Sequence, residues 1–237
     1  MRFPSTRRSV VFAARSEDAG ERRQGFEALV AAYWKPVYKF IRLKWGCSAA
    51  DAEDLTQGFF ARAIEKQFFR GYEAEKGSFR TYLRTCLEGY ISNERKSAAR
   101  LKRGGDSQLL SLDFASAEGE LREHPPAPGA SPEECFHREW VRSLFALALD
   151  DLSALCDSRG KPDQFRMFMR YDLEPEDNAS YATLARDMGL PVTTVTNQLA
   201  WARREFRRLL LERLREVTGG ENEFRSDAKL LLGGGPL

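Results

Sequence analysis

Cysteine and histidine are both scarce in this chain, at four and two residues among 237. Cys47, Cys86, Cys135 and Cys156 lie far apart, form no C-x-x-C pair and have only His124 and His137 as partners. Zinc-ligand spacing is missing, so no metal site is expected, and free thiols fit a reducing, cytoplasmic setting. No apolar run approaches the roughly 20 residues of a membrane span, which argues against membrane insertion. The N-terminus places Arg2, Arg7 and Arg8 before Ser9–Ala14, a run too short for a signal peptide and followed at once by charge; a flexible basic leader over 1–19 is expected. Net charge is also small: 37 Lys and Arg against 35 Asp and Glu leave +2. No global basic field announces nucleic acid, and any such face must come from uneven placement. No nucleophile, base and metal set converges, so an enzyme, a cofactor and a small-molecule substrate are not expected.

What is present is helical patterning. Apolar residues recur at three-to-four spacing and strand-like alternation hardly occurs, so the expected fold class is all-α. Two small helical domains are expected, at 20–105 and 132–219, joined by a linker over 106–131 and followed by a tail over 220–237. The linker is acidic and rich in Gly and Pro, with Asp113, Glu118, Glu120 and Glu123 ahead of Pro125, Pro126 and Pro128. In the first domain a helix over about 20–44 carries Phe26, Leu29, Val30, Tyr33, Trp34, Val37, Phe40 and Ile41 on one stripe, and Pro36 should kink or break it. A second helix starts behind Ser48, a cap answered by Asp51 three residues on. A third begins behind Ser78 with the stripe Phe79, Tyr82, Leu83, Cys86, Leu87, Tyr90 and Ile91, and runs to Gly104-Gly105.

Two surfaces carry a chemical signature. In the second domain Ser180 caps a short helix that stops at Gly189, and Pro191 precedes a long helix. Ala185 is small where two helices cross, Gly189 permits a left-handed turn, and Val195, Leu199, Ala202, Phe206 and Leu209 form the buried stripe. These positions fall together in helix-turn-helix register. The opposite face offers Thr193, Thr194, Thr196, Asn197 and Gln198 to base edges in a major groove, with Arg203, Arg204 and Arg207 placed for phosphates. In the first domain the third helix projects Arg80, Arg84, Asn93, Arg95, Lys96 and Arg100 away from its stripe, and Tyr72 is the freer aromatic in the loop before it. A basic helix beside aromatics suits backbone contact with a single strand and stacking on unpaired bases.

Taken in order, Asp51-Ala-Glu-Asp-Leu-Thr-Gln57, Phe79-Arg-Thr-Tyr-Leu83, the basic end of the third helix, and Ser180-Tyr-Ala-Thr-Leu-Ala185 through Val195 resemble bacterial RNA polymerase sigma factors of the extracytoplasmic-function (ECF) group. The resemblance covers roughly 26–215. It implies that the first domain docks on the polymerase core through Asp54, Leu55 and Gln57. It also implies that Tyr72, Arg80, Arg84, Asn93, Arg95, Lys96 and Arg100 lie near the non-template strand of a −10 element. The second domain would read a −35 element. Core RNA polymerase and promoter DNA are the implied partners, with room for an anti-sigma protein. Gly58 and Gly89 depart from the usual Glu and Asn of the group, and the linker and tail are longer than a minimal member needs. A competing reading is a stand-alone, dimeric helix-turn-helix transcription regulator, which leaves the basic third helix without a purpose.

Overall fold

The structure is a computed structural model that describes residues 9–98, 112–174 and 180–233. Among the described residues every regular element is helical, as the periodicity requires: α1 (Val10–Ala13), α2 (Ala19–Trp45), α3 (Ala49–Glu65), α4 (Phe79–Ala98), α5 (Phe114–Glu123), α6 (Pro132–Ser158), α7 (Pro162–Phe168), α8 (Tyr181–Met188), α9 (Val192–Val217) and α10 (Glu221–Leu232). Two 3₁₀ turns, Phe68–Gly71 and Ala74–Lys76, join α3 to α4. The chain forms two compact units. One holds the described residues up to Ser143 together with those from Leu214 onward; the other is Leu144–Arg213.

The first unit is organised by α2. Leu29, Tyr33, Val37, Phe40 and Ile41 are fully buried, and α3 and α4 add Phe59, Phe60, Phe79, Leu83, Leu87 and Ile91. Aromatic rings link these helices into one cluster: Phe69 packs edge-on to Phe79 at 5.4 Å, Phe79 meets Tyr33 at 5.7 Å, and Phe136 of α6 lies 5.6 Å from Phe40. Such pairs add stability beyond their burial, about 0.5–1.5 kcal/mol each. Ser48 caps α3 as its spacing implies, accepting from the Asp51 amide at 3.1 Å while its hydroxyl donates to the Asp51 carboxylate at 2.7 Å.

Four expectations are corrected here. Pro36 does not break the first helix: α2 runs through it, and the ring is buried in the core. From Ser9 onward the leader is packed onto the fold. Val11 is fully buried, and the Ser9 hydroxyl donates to the Glu216 and Thr218 carbonyls at 3.0 and 2.6 Å. The linker contains α5, capped by Asp113 and packed on α2 through Phe114, whose ring lies 5.5 Å from Trp34 and 5.3 Å from Tyr38. The units also divide within α6 and α9, not at 131 and 219. The cause is burial: Phe136 and Trp140 at the start of α6, and Leu214 and Val217 at the end of α9, lie in the core of the first unit.

The second unit is built from the remainder of α6, then α7, α8 and most of α9. Leu144, Ala148, Leu152, Phe168, Leu184, Val195 and Leu199 are buried, and Phe206 packs between Phe145 at 5.6 Å and Phe168 at 5.5 Å. Arg213 forks onto Asp151 with both contacts at 2.6 Å.

Candidate functional site

Three surfaces follow from this framework. The first is the outer side of α3. Its acidic start, Asp51 with Glu53 and Asp54, complements the positive N-terminal end of the helix. Asp54 is exposed and Leu55 half-buried, whereas Gln57 is 8% exposed. Gln57 therefore belongs more to the packing of α3 than to an open patch.

The second surface is α4 with the loop before it. Asn93, Arg95 and Lys96 are exposed, Arg84 is half-buried, and Arg100 lies outside the described residues. The Arg95 guanidinium sits over the Trp45 ring at 5.9 Å. At the N-terminal end of the helix the expected picture changes. Tyr72 is not a free aromatic: it is 2% exposed, packs edge-on to Phe79 at 5.3 Å, and its hydroxyl donates to the Gly77 carbonyl at 3.1 Å. Burial pushes its phenol well up from the ordinary value, with the Glu223 charge adding to the shift. Arg80 is not open either. It forks onto the Asp227 carboxylate with both contacts at 2.9 Å and covers the Trp140 indole at 3.9 Å. Spacing along α4 could not reveal this, because the partner acid lies 147 residues away.

Gly58 has a packing reason. A Cβ built there would sit 2.3 Å from the Tyr90 hydroxyl. Tyr90 fills the space beside α3, its ring 5.8 Å from Phe59, so a longer side chain at 58 would displace it. Gly89 has no such reason: a Cβ there meets no described atom within 4 Å.

The third surface lies in the second unit. Ser180 caps α8, accepting from the Thr183 amide at 3.0 Å. Gly189 takes the left-handed conformation, φ 63°, and the Leu190 amide returns to the Ala185 carbonyl at 2.9 Å. This closes a tight turn into α9. With Leu184, Ala185, Val195 and Leu199 buried, Thr193, Thr196, Asn197, Arg204 and Arg207 face outward and Thr194 and Gln198 are partly covered. The Thr196 hydroxyl donates back to the Val192 carbonyl at 2.9 Å. Arg203, expected to meet phosphate, is committed within the unit. It contacts Asp172 at 2.8 and 3.0 Å and donates to the Tyr181 hydroxyl at 3.0 Å, which raises its already high pKa. The pattern could not separate it from Arg204, since both lie on the polar side of the stripe.

Residues 29–101 match the family model for Sigma-70 region 2. Within the described residues the match runs from Leu29, about a third of the way along α2, to the end of α4, and so takes in the α3 patch, the loop and the basic side of α4. It supports a sigma-70 family factor, a class that acts in promoter recognition with RNA polymerase and DNA as partners. No curated protein and no solved structure matches the chain. Among the described residues no helix is long and apolar enough to cross a membrane.

The first unit also holds a surface that motif reading missed. Lys35, Lys39 and Arg42 form a cationic row on α2, and α5 answers it with acids. Arg42 holds Glu118 at 2.8 and 3.0 Å, Tyr38 donates to Glu118 at 2.8 Å, and Lys35 and Lys39 reach Glu120 at 2.6 and 2.7 Å. The Arg42 guanidinium, with Tyr38, draws the Glu118 carboxyl down to about 2. The sequence signal was available in the spacing of 35, 39 and 42 along one helical face. It had no assigned partner, because α5 was read as irregular chain.

Proposed function

We propose that the protein is a promoter-recognition subunit of the extracytoplasmic-function type, working in the cytoplasm, which binds core RNA polymerase and directs initiation at a bipartite promoter. The observation that carries this reading is the region 2 match in a chain that also holds, downstream, a capped short helix, a left-handed glycine turn and a long helix with an exposed Thr and Asn face. In this reading the α3 patch around Asp54 and Leu55 docks on the polymerase core, with Gln57 setting the shape of that helix. Arg84, Asn93, Arg95, Lys96 and Arg100 handle the non-template strand of the −10 element. The unit formed by α8 and the start of α9 acts as a helix-turn-helix. Thr193, Thr194, Thr196, Asn197 and Gln198 address base edges of the −35 element, while Arg204 and Arg207 address phosphates.

A division of labour follows, and it is testable. Asp54→Lys should weaken co-sedimentation with core polymerase at least tenfold and leave the full chain's affinity for duplex DNA unchanged. Asn197→Ala should do the reverse. Equal loss of both activities in either variant would refute the assignment. Tight, sequence-specific binding of a dimer to duplex DNA without polymerase would support the stand-alone regulator instead.

A further inference from the structure

The proposed function makes no use of the segment after Leu214, yet that segment is held by the N-terminal end of α4 through unusually specific contacts. In α10, Glu223 accepts from the Phe79 backbone amide at 3.0 Å through one oxygen; through the other it accepts from the Gly219 amide at 2.8 Å and the Tyr72 hydroxyl at 3.4 Å. One turn later Asp227 takes both arms of the Arg80 guanidinium at 2.9 Å, and the pair is shielded, with side chains 16% and 8% exposed. Phe224, between them in sequence, is buried under Arg215, whose guanidinium is 4.0 Å from the ring. Gly219 comes so close to Tyr72 that a Cβ would fall 2.1 Å from the phenol oxygen.

A free amide at a helix start and a planar guanidinium fork are both recognition groups for anionic oxygens, and they accept phosphate as readily as carboxylate. Here both are filled by acids of the same chain. They sit at the start of the helix whose later residues face the promoter strand in the reading above, on which this inference rests.

We propose that α10 is an acidic plug of region 2. Glu223 and Asp227 occupy, in the free chain, anion positions at the start of α4 that backbone phosphates of single-stranded promoter DNA compete for, so capture of the strand requires α10 to leave. The device would keep the free factor from binding nucleic acid unproductively.

The test uses the full chain and a labelled, randomised single-stranded DNA 25-mer at fixed salt, read by anisotropy, with hydrogen exchange on the same samples. The double variant Glu223→Gln, Asp227→Asn should bind about tenfold more tightly than the native chain, within the usual range of coupling between sites. A control, Glu27→Gln with Glu123→Gln, removes the same charge elsewhere and should change affinity less than twofold. In the native chain, saturating DNA should strip exchange protection from 221–232. Equal or weaker binding by the double variant, an equal gain in the control, or undiminished protection of α10 in the DNA-bound native chain would each overturn the proposal. The exchange measurement needs no variant and so stands even if the substitutions unfold the unit. Absence of DNA binding by native chain and variant alike also overturns it. Failure of the sigma reading would register separately, as loss of co-sedimentation with core polymerase.

Discussion

The Gly219→Ala substitution tests the packing of the C-terminal segment with a single methyl group. The added Cβ would lie 2.1 Å from the Tyr72 oxygen, 2.2 Å from Cε1 and 2.4 Å from Cζ. Ordinary carbon contacts begin near about 3.5 Å, so one side must retreat by about 1 Å. Tyr72 cannot easily do so: its hydroxyl is tied to Gly77 and its ring is wedged between Phe79 at 5.3 Å and Tyr82 at 5.5 Å. The retreat therefore falls on the backbone at 218–220, where it breaks the 2.8 Å bond from the Gly219 amide to Glu223. Overpacking of this kind costs about 1–3 kcal/mol. The opposing effect, a less flexible unfolded chain when Gly becomes Ala, is worth only about 0.4–1 kcal/mol. The net expectation is a loss of about 1–2 kcal/mol, read as a lower Tm of the first unit by calorimetry and as faster exchange in α10. Pairing it with Tyr72→Ala removes the clash, so in that background Gly219→Ala should be neutral or stabilising. An unchanged or raised Tm for the single variant would refute the close approach.

Gly58 and Gly89 should respond in opposite directions. Gly89→Ala, exposed and unobstructed in mid-helix, should stabilise by about 0.5–1 kcal/mol, while Gly58→Ala should destabilise by forcing Tyr90 aside; thermal melts of the two variants decide, and two shifts of the same sign contradict the account. The α5 contact should be acid-labile. Glu118 has its pKa drawn below the ordinary 4.5, so its stabilisation is full above that value and is lost as pH falls toward about 2. Glu223 has the opposite sign, raised by burial, so its contribution is present at low pH and lost as pH rises through its folded value. Acidification should thus release the exchange protection of α5 before that of α10, and Glu118→Gln should flatten the α5 response; simultaneous release would count against this. Arg203→Ala should lower the Tm of the second unit by breaking its contacts to Asp172 and Tyr181, whereas Arg204→Ala, exposed, should leave Tm unchanged and reduce duplex DNA affinity.

Sequence patterning revealed elements whose cause is local. The stripe of α2, the Ser48 and Ser180 caps and the Gly189 turn depend on residues within one or two turns of each other, and periodicity reports that range. Features set by distant contacts were hidden. Ser9 bonds to Thr218 across 209 residues, and Arg80 to Asp227 across 147. No local pattern distinguishes such an arginine from one that faces solvent. Pro36 misled for a related reason: burial among α2 neighbours outweighs the missing amide bond. The linker misled because two of its acids, Glu118 and Glu120, are fixed by a cationic row on another helix, a contact that no pattern within 106–131 reports. Of the candidate surfaces, the sequence located the α3 patch, the basic α4 and the turn before α9 as elements of the fold. Which members are already buried, as Gln57 is, or paired within the chain, as Tyr72, Arg80 and Arg203 are, came only from the fold.

The most direct test of the central claim is reconstituted transcription: the purified chain, bacterial core RNA polymerase and a library of genomic fragments, with transcript 5′ ends sequenced. The account predicts initiation only when chain and core are combined, at start sites sharing two spaced upstream elements, with Asp54→Lys abolishing the signal. Initiation by core at the same sites without the chain, or none with it despite tight DNA binding, would contradict it.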